Sequence, residues 1–166
     1  MMSQQPSVYP QAKPFANKDE IEAFLAKPLV AKLCTQNEDG TTHIAPLWFK
    51  YENGEFLFGT QEITHKIQNI KRDQRVTILV DGTDPTLQGV IAYGKARLDF
   101  EDVIAKRIKI FEKYIGVDNA PGLAHRLASS WNPVVIHVKP DKMITFDYSK
   151  GFGVSQNPEA EAARLL

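Results

Sequence analysis

The sequence predicts a mainly β fold: an antiparallel barrel of six or seven strands with helices at its periphery. Three observations carry this expectation. Strand-like segments follow one another without the regular strand–helix alternation that a doubly wound parallel sheet requires. Short runs of turn residues join them, Asn53-Gly54 above all, the dipeptide suited to a two-residue hairpin. The length of 166 residues, 43% of them hydrophobic, suits one domain with one substantial core.

In chain order, residues 1–16 carry prolines and polar residues without periodicity and read as an extended arm. Asn17 then reads as an N-cap, with Glu20 three positions on in a variant of the capping box. The helix "KDEIEAFLAK" presents Ile21, Phe24 and Leu25 on one face, and Pro28 ends it. "LVAKLCT" and "HIAPLWFKY" read as strands across the turn "QNEDGT", and "EFLFGT" follows the Asn53-Gly54 turn. A short turn capped by Thr60 or Thr64 leads into a helix containing His65 and Lys66. "RVTILVD" and "LQGVIAYGKARLDF" come next, joined by a loop with Gly82 and Pro85. "EDVIAKRIKIFEKYIG" reads as a helix with Asp99 as N-cap and Gly116 as stop, and a short helix follows Pro121. "PVVIHVKP" and "KMITFDY" are the closing strands. Residues 17–150 thus form the domain, and residues 151–166 a polar, alanine-rich tail.

Composition excludes several classes of function. Lys+Arg and Asp+Glu both count 20, a net charge of +0, so nothing global attracts nucleic acid or an anionic membrane. No apolar run approaches the roughly 20 residues of a membrane span, and the N-terminus lacks the pattern of a secretory leader. The single cysteine, Cys34, excludes an intramolecular disulfide and a cysteine-rich zinc site. A cytoplasmic location is the expectation. The histidines at 43, 65, 125 and 137 lack ligand spacing, and no metal is expected. Cys34, in an alternating apolar strand, is expected to be a buried, inert thiol. Ser129 and Ser130 lie outside any G-x-S-x-G elbow, and neither phosphate-binding glycine loop is present. No catalytic residue can be named.

Two stretches remain. Pro46 cannot donate to a strand ladder, so it marks an edge, a bulge or a ligand-facing segment. Trp48 beside it is either a packing residue, with Phe49, or part of a ligand wall. In "FGTQEITHKIQNIKRDQRV", Lys66 falls in the first turn of a helix, where the dipole disfavours a cation. Thr60, Thr64 and the free N–H groups of that turn would suit a phosphate-sized anion. The alternative is that Lys66 snorkels into solvent.

These elements, in this order, resemble the FMN-binding split-barrel superfamily, which includes pyridoxamine 5'-phosphate oxidase. The resemblance rests on "AKLCTQNEDGTTHIAPLWFKYENGEFLFGT", "THKIQNIKRDQRVTILVD" and "GVIAYGKARL", and continues loosely through "NPVVIHVKPDKMITFD". It implies a homodimer with a flavin in a groove at the interface and a small-molecule substrate. Pro46, Leu47 and Trp48 would hold the isoalloxazine ring by their backbone. Thr60, Thr64, His65 and Lys66 would surround the phosphate, with Lys66 as charge partner, while Asn69 braces the helix. Trp131 would reach across the dimer. The implied activity is that of an FMN-dependent oxidoreductase. The alternatives are a flavin binder without turnover, or a reductase using the deazaflavin F420, whose acidic tail would need further cations such as Lys50 and Lys71. The arginine-bearing C-terminal segment of true pyridoxamine phosphate oxidases is missing, since the tail holds only Arg164. No histidine follows His137, which argues against the haem-binding version of the fold.

Overall fold

A computed structural model describes residues 12–129 and 131–150. Helix α1 (Lys18–Leu25) precedes the strands β1 (Ala31–Gln36), β2 (Thr42–Leu47), β3 (Lys50–Glu52) and β4 (Glu55–Gln61). Helix α2 (His65–Arg72), strands β5 (Arg75–Gly82) and β6 (Gln88–Asp99), helices α3 (Val103–Ile115) and α4 (Ala120–Ala128), and strand β7 (Pro133–Asp147) complete the order. All seven strands join one antiparallel sheet, β2-β1-β5-β6-β7-β4-β3, curled into a split half-barrel. The expected mainly β barrel with peripheral helices is what the chain forms.

Local chemistry accounts for several boundaries. Asn17 caps α1 by accepting the Glu20 N–H at 3.0 Å, and Glu20 reaches back to the N–H of Ala16. Asn53 and Gly54 both take positive φ, 53° and 79°, the pair of values that a type I′ turn needs. Gly94 lies at the irregularity in the β6–β7 register, where a Cβ would come 2.7 Å from the carbonyl of Lys139, so only glycine fits.

Strand alternation sorts the side chains into two cores. Phe56 and Phe58 of β4 point inward with Leu33, Ile78, Val80 and Ile136, and Ile67 and Ile70 of α2 join them. Leu57 of β4 points outward and packs with Val135 under α3 and α4, against Val103, Ile110 and Phe111. Thr60 therefore faces the inner side, and Gly59 faces α3.

Four expectations are corrected. "HIAPLWFKY" is two strands, because the chain turns at Trp48 and Phe49. Tyr114 fixes that turn, its hydroxyl accepting the Phe49 N–H at 3.0 Å and donating to the Leu29 carbonyl at 2.7 Å. "PVVIHVKP" and "KMITFDY" are one strand, β7, whose irregularity is absorbed opposite Gly94. Asp99 does not cap α3; Asp102 holds the N-cap position. The Asp99 carboxylate takes the Glu101 N–H and the Lys106 ammonium, at 2.9 and 2.8 Å. Burial would raise its pKa, but these donors hold it down to about 2. Cys34 is half-buried on the outer face of β1 rather than in the core, and burial still raises its pKa.

Part of the arm is docked: Lys13 bridges to Asp147, and Phe15 is buried edge-on against Phe24. The rest of the arm, the tail with Arg164, and Ser130 lie outside the described residues. Among the described residues, no helix is long and apolar enough to cross a membrane.

Candidate functional site

The end of β4 and the start of α2 build the site. Thr60 is buried, and its hydroxyl lies 3.5 Å from that of Thr64. Thr64 occupies the N-cap position of α2, yet its hydroxyl donates to the Gln61 carbonyl at 2.8 Å instead of accepting a helix N–H. The Thr64 carbonyl takes the N–H groups of Ile67 and Gln68. Those of His65 and Lys66 have no helical acceptor, and their dipoles add to the positive end of α2.

Lys66 is half-buried here, and burial pushes its pKa below the ordinary lysine value. Among the described residues no carboxylate pairs with it. The His65 ring lies 5.0 Å from that of His43, which enters from β2. Burial, then the nearness of His65 and Lys66, lowers the pKa of His43. The residues that converge thus carry one ammonium, two hydroxyls and two imidazoles, with no acid among them. Such a set suits an anion and nothing positively charged.

The helix is pinned so that this set keeps its geometry. Asn69, 2% exposed, donates to Thr35 Oγ1 at 3.0 Å and to Asn37 Oδ1 at 2.9 Å. Arg72 Nη2 donates to Asn69 Oδ1 at 2.9 Å and to the Gln36 carbonyl at 2.6 Å. His65 Nε2 lies 3.0 Å from Asn37 Oδ1, an oxygen that only accepts, so this nitrogen is the donor. Beside this anchor, on the outer face of β1, β5 and β6, a cavity of about 460 Å³ opens, lined in part by Cys34, Gln36, Thr77, Tyr93 and Lys95.

Of the seven residues named from sequence, the structure sets Thr60 against Thr64, while His65 and Lys66 follow in the first turn of α2, beside His43. Pro46 is exposed on the edge strand β2, opposite Lys32, and Leu47 leans on the inner core. The Trp48 indole turns to α3, stacked on Tyr114 at 4.6 Å and edge-on to Phe111 at 5.7 Å. Its ring packs against α3 and stays partly exposed. His43 was not foreseen, because strand pairing and not sequence spacing carries it to His65. Among the described residues no cluster of histidine, cysteine, aspartate and glutamate is arranged for a metal.

The family profile described as pyridoxamine 5'-phosphate oxidase matches residues 17–145. The chain belongs to this family. Comparison with curated proteins finds no match. Among solved structures, a conserved hypothetical protein from Mycobacterium tuberculosis shares the fold with a TM-score of 0.73 and 23% identity, over 86% of this chain and 91% of that one. An F420 reductase matches with a TM-score of 0.63 and 24% identity, over 74% and 94% of the two chains. A haem storage protein from Vibrio cholerae matches at 0.62 and 13%, over 78% and 94%. At these identities the likeness concerns the fold. Within the pyridoxamine 5'-phosphate oxidase family, the residues of this chain decide which ligand it takes.

Proposed function

We propose that the chain binds FMN and serves as a flavin-dependent oxidoreductase for a small organic molecule. One observation carries the reading: Lys66 is half-buried, unpaired by any carboxylate among the described residues, at the positive end of a helix. A phosphate monoester supplies the missing charge and accepts from the N–H groups of His65 and Lys66. The hydroxyls of Thr60 and Thr64 complete the cradle, and His43 and His65 border it. The backbone of Pro46, Leu47 and Trp48 borders the ring. When bound, flavin supplies the redox chemistry, and the chain supplies orientation, electrostatics and exclusion of water.

A homodimer with the flavin in the interface is part of the proposal. In support, Ile44 and Tyr93 are exposed on the outer face, 58% and 39%, in a sheet that also turns Cys34 and Leu79 outward. FMN is favoured over F420 because the extra cations the longer acidic tail would need are engaged elsewhere. Lys71 pairs with Glu62 at 2.7 Å, and Lys50 pairs with Glu52 at 3.4 Å on β3.

The absorption spectrum of the purified protein, with the mass of the released chromophore, tests the cofactor. Absence of flavin bands, and no binding on FMN titration, would remove the reading. Stopped-flow reduction by nicotinamide donors separates an enzyme from a storage protein, since a binder shows no fast, saturable step. Sedimentation at micromolar concentration tests the dimer.

A further inference from the structure

Arg107 is the most deeply buried of the charged side chains described, 1% exposed. It lies on the face of α3 that carries Val103, Ile110 and Phe111, amid apolar packing. Gly59 of β4 makes room for it: a Cβ there would fall 2.9 Å from both Cγ and Nε of the arginine. Nη2 donates to the Thr60 carbonyl at 2.8 Å, while Nε and Nη1 are buried and meet no acceptor among the described residues. No carboxylate among those residues pairs with it either, and burial lowers its pKa.

An unpaired cation in an apolar layer is destabilising, and a methionine of similar length would pack there at less cost. Its single hydrogen bond goes to the residue whose hydroxyl, on the opposite face of β4, lies 3.5 Å from that of Thr64. Arg107 thus stands one strand's thickness behind the anion cradle. A phosphate monoester carries a charge approaching −2. Lys66 supplies only one positive charge. We propose that Arg107 is the second cation of this site, a positioning residue that fixes the Thr60 backbone and acts on the anion through the strand without touching it. The inference rests on the reading of the cradle as a phosphate site.

R107M and K66A, titrated with FMN and with riboflavin, which lacks the phosphate, provide the test. In R107M, FMN affinity should fall about tenfold and riboflavin affinity should change less than about twofold. The melting temperature of the cofactor-free protein should equal or exceed that of the parent. R107K, which keeps the charge but not the planar fork, should recover part of the FMN affinity. Equal weakening of both flavins, a fall in melting temperature, or failure of R107M to fold would overturn the inference, since each marks a merely structural arginine. If K66A abolishes the preference for FMN over riboflavin and R107M does not, the FMN reading stands and the role of Arg107 falls. If the parent binds neither flavin, inorganic phosphate is the probe. A phosphate-induced rise in melting temperature that R107M loses would keep Arg107 and discard the flavin. An equal response, or none, would discard both.

Discussion

Two lysines sit half-buried at opposite ends of two helices, and their surroundings differ in two respects. Lys113 lies in the last turn of α3, where the dipole favours a cation, with its ammonium 3.5 Å from the centre of the Phe49 ring and 3.2 Å from the Leu25 carbonyl. Lys66 lies in the first turn of α2, where the dipole opposes it, with neither ring nor carboxylate as partner among the described residues. Burial depresses the pKa of both. The chain gives Lys113 a ring and a carbonyl, without cancelling the cost of its burial, and gives Lys66 neither among the described residues. A half-buried cation in contact with its own chain reads as architecture; one at a helix start with no such contact is where the proposed anion would sit.

The sharpest way to break this contrast is Lys66→Ala. It should weaken FMN binding by about ten- to a hundredfold, as expected for a lost charge-assisted contact. The cofactor-free protein should keep its stability, and fluorescence quenching with a thermal melt reads both. Unchanged affinity at moderate salt would place Lys66 with Lys113 as architecture. Next in size, Asn69→Ala should cost about 2 kcal/mol, because it leaves the buried Thr35 hydroxyl and the Arg72 guanidinium short of a partner. Urea unfolding measures it, and FMN affinity should fall along with stability.

Lys113→Met sharpens the other half. Burial, with Lys50 adding to the effect, pushes Lys113 down to about 7. The unfolded chain holds that proton up to about pH 10. Between those values the unfolded state binds more protons, so parent stability rises with pH. The methionine variant should be more stable than the parent at pH 6, and this advantage should shrink steadily between about pH 7 and pH 10 in paired urea melts. A gap that does not change with pH would show that Lys113 keeps an ordinary pKa. The smallest effect belongs to Lys71→Ala. It removes an exposed pair with Glu62, and should change stability by about 0.5 kcal/mol or less and FMN affinity by less than about twofold. A larger loss of affinity would draw Lys71 into the site and revive the case for the longer acidic cofactor.

Which parts of this were legible in the sequence follows from the reach of the interactions. The α1 cap and the Asn53-Gly54 turn involve residues within four positions of one another, so local rules find them. The break at Trp48-Phe49 does not show, because it depends on Tyr114, 65 positions away from Phe49. β7 reads as two strands, because its continuity depends on an irregularity opposite it in β6. Within the site, Lys66 stands out because it contradicts the electrostatics of its own helix. His43 and Arg107 contradict nothing nearby: one is a polar residue on an edge strand, the other one cation among several in an amphipathic helix. Only the folded chain sets one against His65 and the other behind Thr60.

The place of β7 has a consequence for synthesis. The last of the described strands lies inside the sheet, between β6 and β4. The β3–β4 hairpin, which carries Thr60, has no other route into the sheet than pairing with residues 133–138. On a translating ribosome the Lys66 half of the cradle can dock early on β1, while the Thr60 half waits until residues 133–138 have emerged. A ligand that needs both halves of the cradle therefore loads only after β7 has paired with β4. A chain released before residue 133 would carry every residue of the cradle and have no cradle.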